Sequence, residues 1–169
     1  MMARANPKLR LRPFLPADAP LLAEVFRAAI EDLTAEDYSP SQQEAWTSSA
    51  DDEEAFAKRL ADQLTLVATL QDSSPVGFIS LEGSDHIDML YVHPAAVGQG
   101  VATMLYDAIE KLAASRGAAR LTADASDNAW DFFEHRGFVA QQRNTVMRGN
   151  EWLANTTMEK KLTTDRSAS

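Results

Sequence analysis

The sequence predicts one domain of mixed α/β (α+β) class, in which helices and strands share a layer without forming a regular βαβ repeat. Two observations carry this. The chain has 169 residues, 45% hydrophobic and 24% charged, which suits a single domain with a sizeable core. Apolar stripes at helical spacing and short β-rich runs then follow one another as one strand, two or three helices, three strands, a helix, a strand, a helix and two strands.

Taken in order, Leu9, Leu11 and Phe14 alternate with Arg10 and Arg12, so a strand opens the fold. Asp18 precedes Leu21, Leu22, Val25, Phe26, Ala29, Ile30 and Leu33, an apolar stripe at helical spacing. Ser39, Pro40 and Ser41 predict a break and then a short helix within residues 38–46. Residues 51–62 read as a helix whose acidic first turn complements the positive end of its dipole. The runs 64–70 and 76–81 are strands joined by Gln71-Asp72-Ser73-Ser74-Pro75, a hairpin signal, and 87–92 is a third. A helix over 99–115 places Ala102, Leu105, Ala108, Ile109 and Leu112 on one face and stops at Gly117. Residues 120–123 form a short strand. Residues 129–136 form a helix closed by Gly137, which tolerates a left-handed backbone. The runs 138–148 and 151–162 are two strands turning at Gly149-Asn150. The domain is expected to span 7–163, with flexible polar tails at 1–6 and 164–169.

Composition excludes several classes of function. With no cysteine, there is no disulfide, thiolate metal site or catalytic thiol, and the cytoplasm is the expected location. A net charge of −9 argues against a broad nucleic-acid-binding surface. No apolar run approaches the roughly 20 residues of a membrane helix, and residues 1–8 lack the apolar core of a secretory signal. The three histidines are scattered without ligand spacing, so no metal site is expected.

The most informative segment is 87–105: strand, His93-Pro94-Ala95-Ala96, Val97-Gly98-Gln99-Gly100-Val101-Ala102, helix. Two glycines let the backbone bend and approach a ligand closely. The following helix turns its unsatisfied N–H groups toward the same point, which suits a diphosphate without any Lys or Arg. Thr103 adds a hydroxyl. A G-x-G before a helix is also what a plain strand-to-helix turn can look like. The Walker pattern is absent, and Thr103 stands where a dinucleotide fingerprint has its third glycine. Downstream, residues 125–138 read ASDNAWDFFEHRGF. By itself a helix with paired aromatics closed by Gly-Phe describes many core helices.

Together the two segments resemble the GNAT superfamily of N-acetyltransferases, and more narrowly its YafP-like branch. The loop 97–102 corresponds to the family's Gln/Arg-x-x-Gly-x-Gly/Ala. Ala129, Phe132, Phe133, Glu134, Gly137 and Phe138 match its Ala-x-x-Phe-Tyr-Glu-x-x-Gly-Phe. The branch resemblance rests on Tyr38-Ser39-Pro40, Ala45-Trp46, Ile87-Asp88-Met89-Leu90, Gly100-Val101-Ala102, and Arg148-Gly149 followed by Trp152, Asn155 and Met158. The resemblance implies a mostly antiparallel twisted sheet of about seven strands, splayed between the fourth and fifth and flanked by about four helices. It also implies transfer of acetyl from acetyl-CoA to an amine of a small acceptor, by direct attack in a ternary complex. The alternatives are a non-catalytic acyl-CoA sensor and an acetyltransferase acting on protein N-termini or lysines. A monomer or homodimer is expected.

Residue roles follow from the same resemblance. Leu90, Tyr91 and Val92 should meet the pantetheine arm, with the Leu90 amide facing the thioester carbonyl. The amides of Val97, Gly98, Gln99, Gly100, Val101 and Ala102 should hold the diphosphate. Val97 departs from the family's Gln or Arg. Ser126 stands at its cofactor-contacting Asn, and Phe133 at the Tyr that protonates the departing thiolate. An acceptor amine must lose a proton before it attacks. His86 and Asp88, two apart on a strand, share a face and are the candidate bases, Asp88 weighted above His86 and Glu82 third. Tyr106, Tyr38 or water would supply the acid. Tyr38, Trp46 and Trp152 should wall the acceptor pocket.

Overall fold

A computed structural model describes residues 9–162; the expected tails at 1–6 and 164–169, and the outermost residues of the 7–163 domain, lie outside the described residues. Seven strands form one sheet in the order β1-β2-β3-β4-β5-β7-β6. They are β1 Arg10–Pro13, β2 Leu64–Thr69, β3 Pro75–Glu82, β4 His86–Val92, β5 Arg120–Ser126, β6 Val139–Arg148 and β7 Glu151–Lys161. Every neighbouring pair is antiparallel except β4 and β5. Among the described residues the α-helices are α1 Ala19–Leu33, α2 Pro40–Thr47, α3 Glu53–Asp62, α4 Val101–Ser115 and α5 Trp130–His135, one more than expected. No helix among them is long and apolar enough to cross a membrane.

The central strands are buried on both faces, which is why they read as continuous apolar runs rather than a clean alternation. Leu66, Ile79, Leu81, Leu121 and Met158 pack on one face with Leu105 and Ile109 of α4 and Phe133 of α5. Val67, Phe78 and Met89 pack on the other with Leu22, Phe26 and Ile30 of α1 and Phe56 and Leu60 of α3. The short helix α2 begins with a capping box: the Ser39 hydroxyl accepts from the Gln42 amide while the Gln42 side chain accepts from the Ser39 amide.

Three local features shape the middle of the sheet. Gly77 in β3 lets α4 lie close, since a Cβ there would sit 2.8 Å from Val101 Cγ1 and 3.0 Å from the Tyr91 carbonyl oxygen. Between β3 and β4 the register slips: Ser80 faces Met89 while Leu81 faces Ile87, so Asp88 is the extra residue of a bulge. As a result Ile87, Leu90 and Val92 pack toward α4, whereas Met89 and Tyr91 pack toward α1 and α3. Finally, β4 and β5 pair only at His86↔Thr122 and Ile87↔Ala123. Beyond that point the strands part, while β5 keeps its pairing to β7 as far as Ser126↔Asn155.

Candidate active site

The parted strands open a passage through the sheet, lined by Trp46, Asp88, Leu90, Asp124, Ser126 and Phe133 among others. A cleft meets it on each face. On the α4 side lies a cleft of about 400 Å³ bounded by Leu90, Val92, Val97, Thr103, Phe132 and Phe133. On the α1–α3 side lies one of about 360 Å³, walled by Phe26, Tyr38, Trp46 and Tyr91 and bearing Arg59, His86, Asp88, Asp124 and Arg148.

The α4-side cleft is built from backbone. Gly98 and Gly100 have φ of +87° and +86°, a region that disfavours L side chains, and a Cβ on either would meet no atom within 4 Å. Gly100 caps α4 without a side-chain bond. That left-handed cap is why the helix starts at Val101 rather than at 99. None of the amides of residues 98–103 donates to a loop or turn carbonyl among the described residues. Free N–H groups at a helix N-terminus, with space above two glycines, fit a diphosphate, and the apolar walls formed by Leu90, Val92 and Phe133 fit a pantetheine arm. Thr103 is already engaged: Arg136 donates to its hydroxyl at 2.5 Å while stacking 3.9 Å over the Phe132 ring. The sequence reading overlooked Arg136. Ser126 reaches the passage and donates to Asn128 at 2.6 Å.

On the other face, His86 and Asp88 do converge, together with Glu82; one ligand atom of each lies within 4.8 Å of the others. Their surroundings differ. Arg59 donates to Asp88 Oδ2 at 2.8 Å and Gln63 to the same oxygen at 2.9 Å. Burial pushes the Asp88 carboxyl up, but these two hydrogen bonds and the guanidinium charge outweigh it and hold the group below its ordinary range. The two hydrogen bonds leave Asp88 paired with α3, whereas no such cation faces His86 among the described residues. The His86 Nδ1 lies 2.8 Å from the Thr122 hydroxyl, and its Nε2 faces Asp124 at 3.9 Å. Glu82 is exposed at the strand end.

Further corrections concern tyrosines and a tryptophan. Tyr106 lines neither cleft. It is buried on α4 between Phe132 and Phe138, and its hydroxyl donates to Glu110, which also takes a bond from Lys160. Burial and the Glu110 carboxylate raise its pKa strongly, and its hydroxyl proton is directed at Glu110 rather than into either cleft. The Tyr38 ring does line the α1–α3 cleft, but its hydroxyl donates to the Ala154 carbonyl at 2.7 Å and accepts from the Asp127 amide at 3.0 Å. That hydroxyl ties α2's approach to β7 and has no proton to spare. Trp46 packs edge-on against Tyr38 and donates to the Tyr91 hydroxyl at 3.2 Å. Trp152 is 57% exposed and lies outside both clefts; its neighbours Leu153 and Ala154 line the acceptor side instead. Strand alternation points the Tyr91 side chain away from Leu90 and Val92, and the bulge at Asp88 makes its face the one toward α1 and α3.

Arg59, Asp124 and Arg148 went unnoticed in the sequence. For Asp124 a signal was present: Thr122, Asp124 and Ser126 alternate with Leu121, Ala123 and Ala125, a period-2 pattern that runs past the expected strand end at 123.

Residues 34–162 match the family described as acetyltransferase (GNAT) domain. The chain belongs to the GNAT acetyltransferase family. As a GNAT enzyme it is an acetyl-CoA-dependent N-acetyltransferase. It is similar to the uncharacterized N-acetyltransferase YafP of Escherichia coli strain K12, at 33% identity over 147 residues, 87% of this chain and 92% of that protein. A crystallised GCN5-related N-acetyltransferase from Rhodopseudomonas palustris superposes with a TM-score of 0.91 at 63% identity, over 96% of this chain and 99% of that one. The PaiA N-acetyltransferase of Thermoplasma acidophilum, solved with coenzyme A, shares the fold at TM-score 0.75 and 22% identity, over 91% and 99% of the two chains. The sheet parted between β4 and β5 is thus the GNAT arrangement that the two sequence segments implied.

Proposed function

We propose that this GNAT enzyme acetylates the amine of a small acceptor held in the α1–α3 cleft, by direct attack within a ternary complex. The observation that carries the reading is the passage between β4 and β5, which joins a backbone-lined cleft on one face to a charged aromatic cleft on the other. Acetyl-CoA, when bound, supplies an acetyl group activated as a thioester. The amides of residues 98–102 would hold its diphosphate, the Val97 amide being spent on the Pro94 carbonyl, with Leu90, Val92 and Phe133 along the pantetheine. Past Ile87 the edge of β4 has lost its partner strand, which leaves backbone donors such as the Leu90 amide available to an oxyanion.

His86 is the proposed base. Imidazole is the side chain best suited to exchange a proton near neutrality. The acceptor arrives as an ammonium, which Asp88 and Asp124 attract; His86 takes its proton and the freed lone pair attacks. The developing imidazolium faces Asp124 and is stabilised there. Asp88, pinned by Arg59 and Gln63, is a positioning charge. Phe133, 4% exposed, packs with Phe132 and Phe138 and keeps water from the gap, so the departing thiolate draws its proton from the acceptor nitrogen.

The test is thiol release with acetyl-CoA and a panel of small amines, in wild type and His86→Gln. The variant should lose about 10²-fold in kcat/KM for the acceptor, lose the acid limb of its pH profile, and keep its affinity for acetyl-CoA. An unaltered pH profile in a folded His86→Gln enzyme would remove His86 from the base role.

A further inference from the structure

The acceptor cleft holds more donors than its own side chains occupy. Arg59 uses Nε on Asp88, and its two terminal nitrogens have no hydrogen-bond acceptor among the described residues. Arg148, at the end of β6, lines the same cleft and has no ion-pair partner among the described residues. The Tyr91 hydroxyl accepts from Trp46 and donates to no described residue. Arg59, Tyr91 and Arg148 all line this one cavity. Three donor groups without an acceptor for these hydrogens among the described residues, two of them cationic, therefore line one cavity. The carboxylates of Asp88 and Asp124, with His86, line the same small cavity beside the β4–β5 gap.

Such a cavity, of about 360 Å³, is complementary to a ligand of reversed polarity: an ammonium among the carboxylates and an anion among the arginines. A guanidinium fork matches a planar carboxylate with two parallel hydrogen bonds. The Phe26, Tyr38 and Trp46 rings leave a flat apolar wall for the rest of the molecule.

We propose that the acceptor is a primary amine carrying a nearby carboxylate and an apolar or aromatic body, as in an aromatic α-amino acid, with Arg148 and Arg59 receiving the carboxylate. The proposal rests on the small-amine reading above and narrows it. A phosphonate shares the anion chemistry and is separated from a carboxylate by the test.

The experiment compares L-phenylalanine with 2-phenylethylamine, which share amine and ring and differ by the carboxylate. The phosphonate analogue of phenylalanine is the third arm. Thiol release from acetyl-CoA is followed in wild type, Arg148→Gln and Arg148→Lys. Because Arg148 is exposed on an edge strand the variants should fold, and acetyl-CoA affinity checks that they have. Wild type should prefer phenylalanine over 2-phenylethylamine at least about tenfold in kcat/KM, chiefly through KM. In Arg148→Gln that ratio should drop about tenfold, and Arg148→Lys should recover part of it. Turnover of 2-phenylethylamine alone, or a ratio that Arg148→Gln leaves in place, overturns this proposal and spares the small-amine reading. Preference for the phosphonate overturns the carboxylate assignment. Turnover of none of the three by an enzyme that acetylates other amines of the panel overturns this proposal and spares the small-amine reading; failure across the whole panel overturns both.

Discussion

Gly77→Ala gives a test whose sign depends on the packing of α4 over the sheet. In a strand with ordinary negative φ, replacing glycine by alanine restricts the unfolded chain and is expected to stabilise by about 0.4–1 kcal/mol. Gly77 is such a position by its backbone, since it is absent from the left-handed glycines. The added methyl, however, would lie 2.8 Å from Val101 Cγ1, 3.0 Å from the Tyr91 carbonyl oxygen and 3.3 Å from Leu105 Cδ1. All three are backbone or fully buried core, so α4 has to lift or β4 has to shift. Overpacking of this kind costs about 1–3 kcal/mol, which lowers Tm by about 3–10 °C in a domain of this size. Val101 opens the helix whose N-terminus is the proposed diphosphate site, so KM for acetyl-CoA should rise about threefold or more with the same substitution. Thermal unfolding with and without acetyl-CoA, alongside steady-state kinetics, measures both effects. Gly83→Ala is the control: its φ is +61° and a Cβ there meets nothing within 4 Å, so it should cost about 1–2 kcal/mol of backbone strain and leave acetyl-CoA binding alone. A Gly77→Ala protein as stable as wild type, with the same KM for acetyl-CoA, would refute the close seating of α4 on β3.

Two further outcomes are expected. Arg136→Gln should raise KM for acetyl-CoA about three- to tenfold, more so at low salt, because it removes the cation that Thr103 and Phe132 hold beside the diphosphate loop; titration of acetyl-CoA at two ionic strengths checks this. Asp88→Asn leaves Arg59 facing a neutral partner and should cost about 1–2 kcal/mol at pH 7, a figure reduced for the 37% exposure of the Arg59 side chain. Because the Asp88 pKa is lowered in the folded state, its stabilisation is complete above the unfolded carboxylate value of about 3.9 and fades as pH falls through the lower native value. Urea unfolding should show the wild-type advantage at pH 7 shrinking below pH 4, and a pH-independent difference would argue against the ion pair.

Much of the architecture was legible because it depends on local periodicity. The stripe from Leu21 to Leu33 and the double-faced apolar runs in β2 and β3 specify helix and strands wherever they are placed. Gly98 and Gly100 announced the loop before α4, since few other residues accept φ near +87°. His86 and Asp88 were named from strand spacing and do meet. Their relative roles were not legible, because the partner that holds Asp88 ionised is Arg59 on α3, a sequence separation of 29 residues. Tyr106 illustrates the same limit in reverse. On α4 its spacing allowed either a core or a cleft position, and only the packing of Phe132, Phe138 and Glu110 around it decided for the core.

By itself, then, the chain's order of residues determined which segments are helix and strand, where the backbone bends before α4, and the family to which it belongs. Tertiary structure alone decided which charges share the acceptor cleft. The bulge that makes Asp88 the extra residue of β4 arises from pairing with β3, and it puts Leu90 and Val92, rather than Met89 and Tyr91, on the face of Ile87. Arg59, Asp124 and Arg148 come to one cavity from α3, β5 and β6. Charges so far apart along the chain leave no periodic trace, because their interaction depends on through-space distance and on the water that the surrounding rings exclude.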